Sequence, residues 1–203
     1  MLELVIATKN KKKLVEIKDI LNVRGIKITS LEEYPHAPRI VENGRTFKDN
    51  ALKKAVQIAR FTGKLALGED SGLCVRALGG KPGVYSSRFC GKDKSDDKNN
   101  AKLLRLMQNV PENKRGAYYV CAVAIADKNG KVGVAEGRCS GRIGYELKGS
   151  RGFGYDPLFV IPKFKLTFAQ LGEKIKHGMS HRYYALEKAK KVILKYIERR
   201  LIS

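Results

Sequence analysis

At 203 residues, with 43% hydrophobic residues and twenty glycines, the chain suits one α/β domain with a substantial core, and no low-complexity, repeated or Pro/Gly/Ser-rich stretch marks a linker. Forty-one Lys and Arg against twenty Asp and Glu give a net charge of +21, so the surface must attract polyanions; nucleic acid, a nucleotide, or a general lysine enrichment of the hyperthermophile kind would each account for it. No apolar run approaches the roughly twenty residues of a membrane helix. The N-terminus lacks a signal-peptide pattern, which predicts a soluble cytoplasmic protein. Cys74, Cys90, Cys121 and Cys139 show no C-x-x-C spacing, which argues against zinc, iron–sulfur and dithiol chemistry.

Taken in order, Leu2 to Ala7 is apolar with little alternation, as in a strand buried on both faces. Thr8-Lys9-Asn10-Lys11-Lys12-Lys13 then leads into a helix with Leu14, Ile17, Ile20 and Leu21 at helical spacing, ending before Gly25. A strand, a short polar loop and a helix start form an anion site, to which Thr8, Asn10 and Lys13 add side-chain donors; no Walker loop is present. A solvated lysine-rich turn has the same composition. Ile26 to Leu31 predicts a short strand, followed by a loop broken by Pro35 and Pro38. Thr46 is a plausible N-cap, with Asp49 at the capping-box position, of a helix running to Thr62 and stopped by Gly63. Asn50 and Lys54 share one side of it, from which Lys54 could reach a phosphate and Glu42 a metal.

Gly68-Glu69-Asp70-Ser71-Gly72-Leu73 sits between the apolar runs 65–67 and 73–75, which predicts a turn displaying acids at a strand end, with glycines permitting unusual backbone angles. Oxygen ligands of this kind suit Mg²⁺, which takes one or two carboxylates, waters and substrate phosphates. An ordinary solvated turn would use the same residues. Residues 79–88 form a Gly/Pro-punctuated loop, and a helix is predicted from Asp96 to Met107. Tyr118 to Ala126 and Lys131 to Gly137 flank an Asn129-Gly130 turn, an antiparallel hairpin that makes the sheet mixed. Phe153-Gly154-Tyr155-Asp156-Pro157 lies in a glycine-rich loop before a strand over 158–161, where an aromatic held by glycines could stack on a base or simply pack. Ser180 should cap a final helix, with His181 and Arg182 in its first turn, where a cation opposes the helix dipole unless an anion is near. Lys176 could face the same space.

The ordered set Thr8-x-Asn10-x-x-Lys13, Glu42, Thr46-Phe47-x-x-Asn50-Ala51-x-x-Lys54-Ala55, Glu69-Asp70-Ser71-Gly72-Leu73, Pro82 to Arg88, Gly152 to Pro157, Lys176 and Ser180-His181-Arg182 resembles the inosine/xanthosine triphosphate pyrophosphatase family over nearly the whole chain. The resemblance implies an α/β fold, an elongated central mixed β-sheet flanked by helices forming two lobes with a cleft between them, as one domain over residues 1–203, with a homodimer as the usual assembly. It implies hydrolysis of ITP, dITP and XTP to the monophosphate and pyrophosphate. Thr8, Asn10, Lys13 and Lys54 would hold the triphosphate, with Ser71 also touching substrate. Glu42 and Asp70 would organise Mg²⁺, and Asp70 would be the base for the attacking water. Phe153, Gly154, Tyr155 and Asp156 would line the base pocket, with Lys176, His181 and Arg182 reading the purine edge. Glu69 stands where many members carry Asp, and Tyr183 where a small residue is common. The alternatives are a related pyrophosphatase for other modified nucleotides and a non-catalytic nucleic-acid-binding protein; the second fits poorly, because carboxylates repel a phosphate backbone unless a metal intervenes.

Overall fold

Strand β1 (Leu2–Ile6) is apolar on both faces because it is an interior strand, paired in parallel with β2 (Ile26–Ser30) on one side and β3 (Leu65–Val75) on the other. The structure, a computed structural model, describes residues 2–202. The crossovers between these strands carry α1 (Lys11–Ile20) and α2 (Phe47–Thr62), as parallel pairing requires. β4 (Gly116–Asp127) and β5 (Gly130–Ile143) are joined by Lys128 and Asn129 alone, a connection short enough only for an antiparallel pair. β6 (Phe159–Ile161) and β7 (Leu166–Thr167) add antiparallel partners, and the strand order is β2-β1-β3-β4-β5-β6-β7. Helices α3 (Asp96–Met107), α4 (Phe168–Leu171), α5 (Glu173–His177) and α6 (His181–Ile202) complete the mixed α/β fold expected from the sequence.

The chain divides into two compact units: Met1–Asp70 with Cys121–Gly137 and His181–Ser203, and Ser71–Val120 with Arg138–Ser180. In the first, strand alternation sorts side chains onto two faces. Leu4, Ile6, Cys121, Val123 and Ile125 pack with Ile17 of α1 and Leu186 of α6, while Val5, Ala7, Ala122 and Ala124 pack with Ala51, Ala55 and Ile58 of α2. The second face is lined with alanines, which lets α2 lie close to the sheet. In the second unit Tyr119, Phe159 and Phe168 form an aromatic core, with Tyr119 meeting Phe159 edge-on at 4.7 Å and Phe168 lying 5.2 Å from Phe159.

One expectation is corrected. Glu69, Asp70 and Ser71 do not form a turn; they lie inside an unbroken strand of 11 residues. Neither Gly68 nor Gly72 has a positive φ. Gly68 serves packing: a Cβ there would meet the Ala51 carbonyl oxygen at 2.1 Å and the Ala55 nitrogen at 2.6 Å, so its absence sets how near α2 comes to β3.

Candidate active site

In the first unit the site begins with the caps. Asn10 caps α1 by accepting from Lys13 N–H at 3.1 Å, and Thr8 Oγ1 accepts from Asn10 N–H at 3.2 Å. The first turn that follows is Lys11-Lys12-Lys13, with no acid to offset its clash with the dipole. Lys13 reaches inward, its Nζ 2.8 Å from Glu69 Oε2. The Thr46/Asp49 capping box fixes the phase of α2, and Asn50 and Lys54, four residues apart, both face β3.

Three elements then meet at one carboxylate. Asp70 Oδ2 accepts from Asn50 Nδ2 at 3.0 Å, and Oδ1 lies 3.3 Å from Lys54 Nζ. Asn50 is itself oriented by Gly44, whose N–H donates to Asn50 Oδ1 at 2.7 Å. Lys54 also donates to the Glu69 carbonyl at 3.0 Å and pairs with Glu42 Oε2 at 3.0 Å, so Glu42 and Asp70 converge on one ammonium. Burial raises the Asp70 pKa, against the pull of Lys54 and Lys13. Burial also opposes the Lys54 cation, but Asp70, Glu42 and Glu69 together hold its pKa above the ordinary lysine value.

Glu69, absent from the sequence-based site set, is the centre of a second buried network. Its carboxylate takes Lys13, the Arg182 guanidinium at 3.0 Å and the Cys121 thiol at 3.3 Å. Arg182 also pairs with Glu16 of α1, and the two glutamates outweigh desolvation to raise its pKa. Gly137 allows this: a Cβ there would come within 2.2 Å of the His181 carbonyl, at the start of α6. His181 is buried beside Arg182. Thr8, Asn10, Lys13, Glu42, Lys54, Asp70, His181 and Arg182 therefore all belong to one unit. Asn50 was visible through its spacing from Lys54 and its place in the motif shared with the pyrophosphatase family, but it was given no role. Glu69 stood out in the sequence only as one of the acids offered to a metal, not as the partner of Lys13 and Arg182, and Glu16 gave no signal, because a buried ion pair looks like a solvated charge in one dimension.

The second unit contains Ser71, Phe153, Gly154, Tyr155, Asp156 and Lys176. Asp156 Oδ2 accepts from Phe153 N–H at 2.9 Å and from Lys176 Nζ at 2.7 Å, both side chains of that pair being buried. The Lys176 ammonium stands 4.6 Å from the Phe153 ring centroid. Tyr155 is nearly fully buried and donates to the Ser86 carbonyl at 2.9 Å, so it anchors the loop and offers little ring face. Ser71, half-buried, follows Asp70 on β3.

Among the described residues no group of three or more His, Cys, Asp or Glu could hold a metal ion. Glu42 and Asp70 offer two carboxylates, both paired with Lys54, and no soft ligand. That donor set fits a hard cation completing its shell with water and phosphate oxygens.

A buried carboxylate backed by lysines, on a mixed α/β sheet and beside a basic helix N-terminus, is the class of arrangement suited to phosphate oxygens. The model of the Ham1 family matches residues 4–192. A dITP/XTP pyrophosphatase of Desulforamulus reducens is 50% identical over 192 residues, 95% of this chain and 96% of that protein. One from Shouchella clausii is 46% identical over 193 residues, 95% and 97% of the two chains. The solved structure of a HAM1 protein from Coxiella burnetii superposes with a TM-score of 0.88 at 37% identity, covering 96% of this chain and all of that one. The chain belongs to the Ham1 family.

Proposed function

We propose that the protein hydrolyses non-standard purine nucleoside triphosphates, ITP, dITP and XTP, to the monophosphate and pyrophosphate, and so removes them from the nucleotide pool. The observation that carries this is Asp70: a carboxylate buried in a strand, its pKa raised, held by Asn50 and Lys54 and faced by Lys13. A base for water works best with a pKa near the operating pH, and burial moves Asp70 in that direction.

Thr8, Asn10, Lys13 and Lys54 take the triphosphate, with Ser71 a further contact. Glu42 and Asp70 are the residues that would hold Mg²⁺, which when bound neutralises charge developing on the departing pyrophosphate. Asp70 accepts a proton as water attacks the α-phosphorus; the new P–O bond forms while the bond to the α–β bridging oxygen breaks, and pyrophosphate leaves with those electrons. Lys13 and Lys54 stabilise that leaving group, and Asn50 holds the Asp70 carboxylate in line.

Base recognition is assigned to Phe153, Gly154, Tyr155, Asp156 and Lys176 of the second unit, and His181 and Arg182 of the first unit carry the remaining donors suited to a purine edge. Hypoxanthine and xanthine offer a 6-oxo acceptor, whereas adenine offers a 6-amino donor; donor against donor leaves both unsatisfied, a penalty of about 1–3 kcal/mol per group. The enzyme acts as a homodimer in the cytoplasm. The test is hydrolysis of ITP, XTP, ATP and GTP with and without Mg²⁺, following pyrophosphate and single phosphate separately. Pyrophosphate from ITP and XTP in preference to ATP and GTP is the expected result; single-phosphate release, or equal rates on all four, overturns it.

A further inference from the structure

The Phe153-Gly154 peptide is gripped on every side by polar side chains. Phe153 N–H goes to Asp156 Oδ2 at 2.9 Å, Gly154 N–H to Asp96 Oδ2 at 2.7 Å, and the Gly154 carbonyl accepts from Asn100 Nδ2 at 2.8 Å. Asp96 and Asn100 are one turn apart on α3, hence on the same side of the helix, and between them they occupy both the donor and the acceptor of one residue. That residue is a glycine with φ +62, and a Cβ there would touch nothing within 4 Å. Asp156 and the buried Tyr155 hold the residues on either side, and Asp96 and Asn100 are the side chains that hold Gly154 itself.

Asn100 has an unusual composition of contacts. It is buried, yet its Oδ1 has no hydrogen-bond partner, an unpaired oxygen that an apolar side chain would not bring. What such a side chain could not do is hold the Gly154 carbonyl. The neighbouring Asn99 does similar work on the preceding loop: its Oδ1 accepts from Cys90 N–H at 2.7 Å and its Nδ2 donates to the Ser87 carbonyl at 3.3 Å. Tyr155 is tied to the same loop through Ser86. The start of α3 is therefore a clamp for two loops of the second unit.

We propose that Asp96 and Asn100 are positioning residues for base recognition, fixing the Phe153-Gly154 peptide so that the Phe153 ring and the Lys176 ammonium keep one arrangement for a purine. The proposal rests on the base-site role given above to residues 153–156 and Lys176. Neither Asp96 nor Asn100 takes part in the phosphate chemistry of Asp70, so their effect belongs in substrate binding and discrimination, not in the chemical step.

The test is steady-state kinetics on ITP and ATP with the full-length protein and five variants. Asp96→Ala removes the acceptor and Asp96→Asn keeps one. Asp97→Ala removes the neighbouring first-turn acid without touching Gly154. Asn100→Leu removes the donor, and Lys176→Met probes the base site itself. Asp96→Ala and Asn100→Leu are each expected to raise KM for ITP about tenfold and to compress the ITP/ATP preference, with kcat within about twofold of the parent. Asp96→Asn and Asp97→Ala should stay near the parent in all constants. Asp96 is exposed, so its variants report even where the buried Asn100→Leu does not fold. A loss in Lys176→Met with Asp96→Ala equal to Asp97→Ala overturns the clamp and leaves the base site standing. No change in Lys176→Met overturns the base-site role, and the clamp falls with it.

Discussion

Asp70 and Glu69 are adjacent, buried carboxylates with opposite expected responses to neutralisation. Asp70 has its pKa raised, burial being the main cause, so the folded state binds that proton more tightly than the unfolded chain. The ionised form therefore destabilises the fold at neutral pH, and stability gained from this group appears as pH falls through its folded pKa. Asp70→Asn should accordingly lower turnover by about 10²–10⁴-fold while leaving Tm unchanged or a few degrees higher, read by pyrophosphate release and calorimetry. Near-normal turnover would remove Asp70 from the chemistry. The raised pKa should move the acidic limb of kcat/KM upward, read from kcat/KM against pH. Glu69 is different, because Lys13, Arg182 and Cys121 all depend on it. Glu69→Gln leaves the buried Arg182 with one carboxylate in place of two. Breaking such a pair costs about 3–5 kcal/mol, a fall in Tm of roughly ten degrees for a chain of this size. A Tm within two degrees or so of the parent would show that Glu16 alone balances Arg182.

At the level of elements, the approach of α2 to β3 decides whether the site exists. Gly68→Ala would place a methyl group 2.1 Å from one backbone atom of α2 and 2.6 Å from another, and the helix must back away, since neither atom can rotate aside. Asn50 and Lys54 leave Asp70 with it. The expected result is a loss of about 1–3 kcal/mol together with a fall in kcat much larger than the stability change explains. Gly116→Ala, whose Cβ would meet only the flexible Arg76 side chain at 3.4 Å, should show neither effect. Elements with caps and a full helical period were readable from the sequence: Thr46 and Gly63 bound α2, and Asp96 to Met107 is helical as the spacing predicts. β3 was misread as a turn because Gly, Asp and Ser are also what turns use, and only a packing partner reveals that Gly68 is small for the sake of a neighbour. α4 and α5, at four and five residues, are too short to show any period. The polar residues of the site fell out unevenly for a related reason. Asp70, Lys54 and Lys13 stand in local patterns with a chemical meaning, whereas Glu16 meets Arg182 across 166 positions and no local pattern encodes that.

For the whole molecule, the +21 charge and the charge at the site are separate matters. The cations Lys13, Lys54 and Arg182 are already engaged by Glu16, Glu42, Glu69 and Asp70, so these buried groups largely offset one another inside a strongly basic protein. The surface charge draws in a nucleotide of about four negative charges and should make kcat/KM fall with ionic strength, but it cannot replace the cation needed between Asp70, Glu42 and phosphate oxygens. Binding of a non-hydrolysable ITP analogue should therefore weaken at least tenfold when EDTA removes divalent ions, a loss of about 1.4 kcal/mol or more. Asp70→Asn deletes one of the repelling carboxylates, so in EDTA this variant should bind the analogue more tightly than the parent, and with Mg²⁺ present the order should reverse. Titration calorimetry under the four conditions measures both signs. If the parent binds equally well with and without divalent ions, the lysines alone neutralise the triphosphate, and Glu42 and Asp70 are not holding a metal against it.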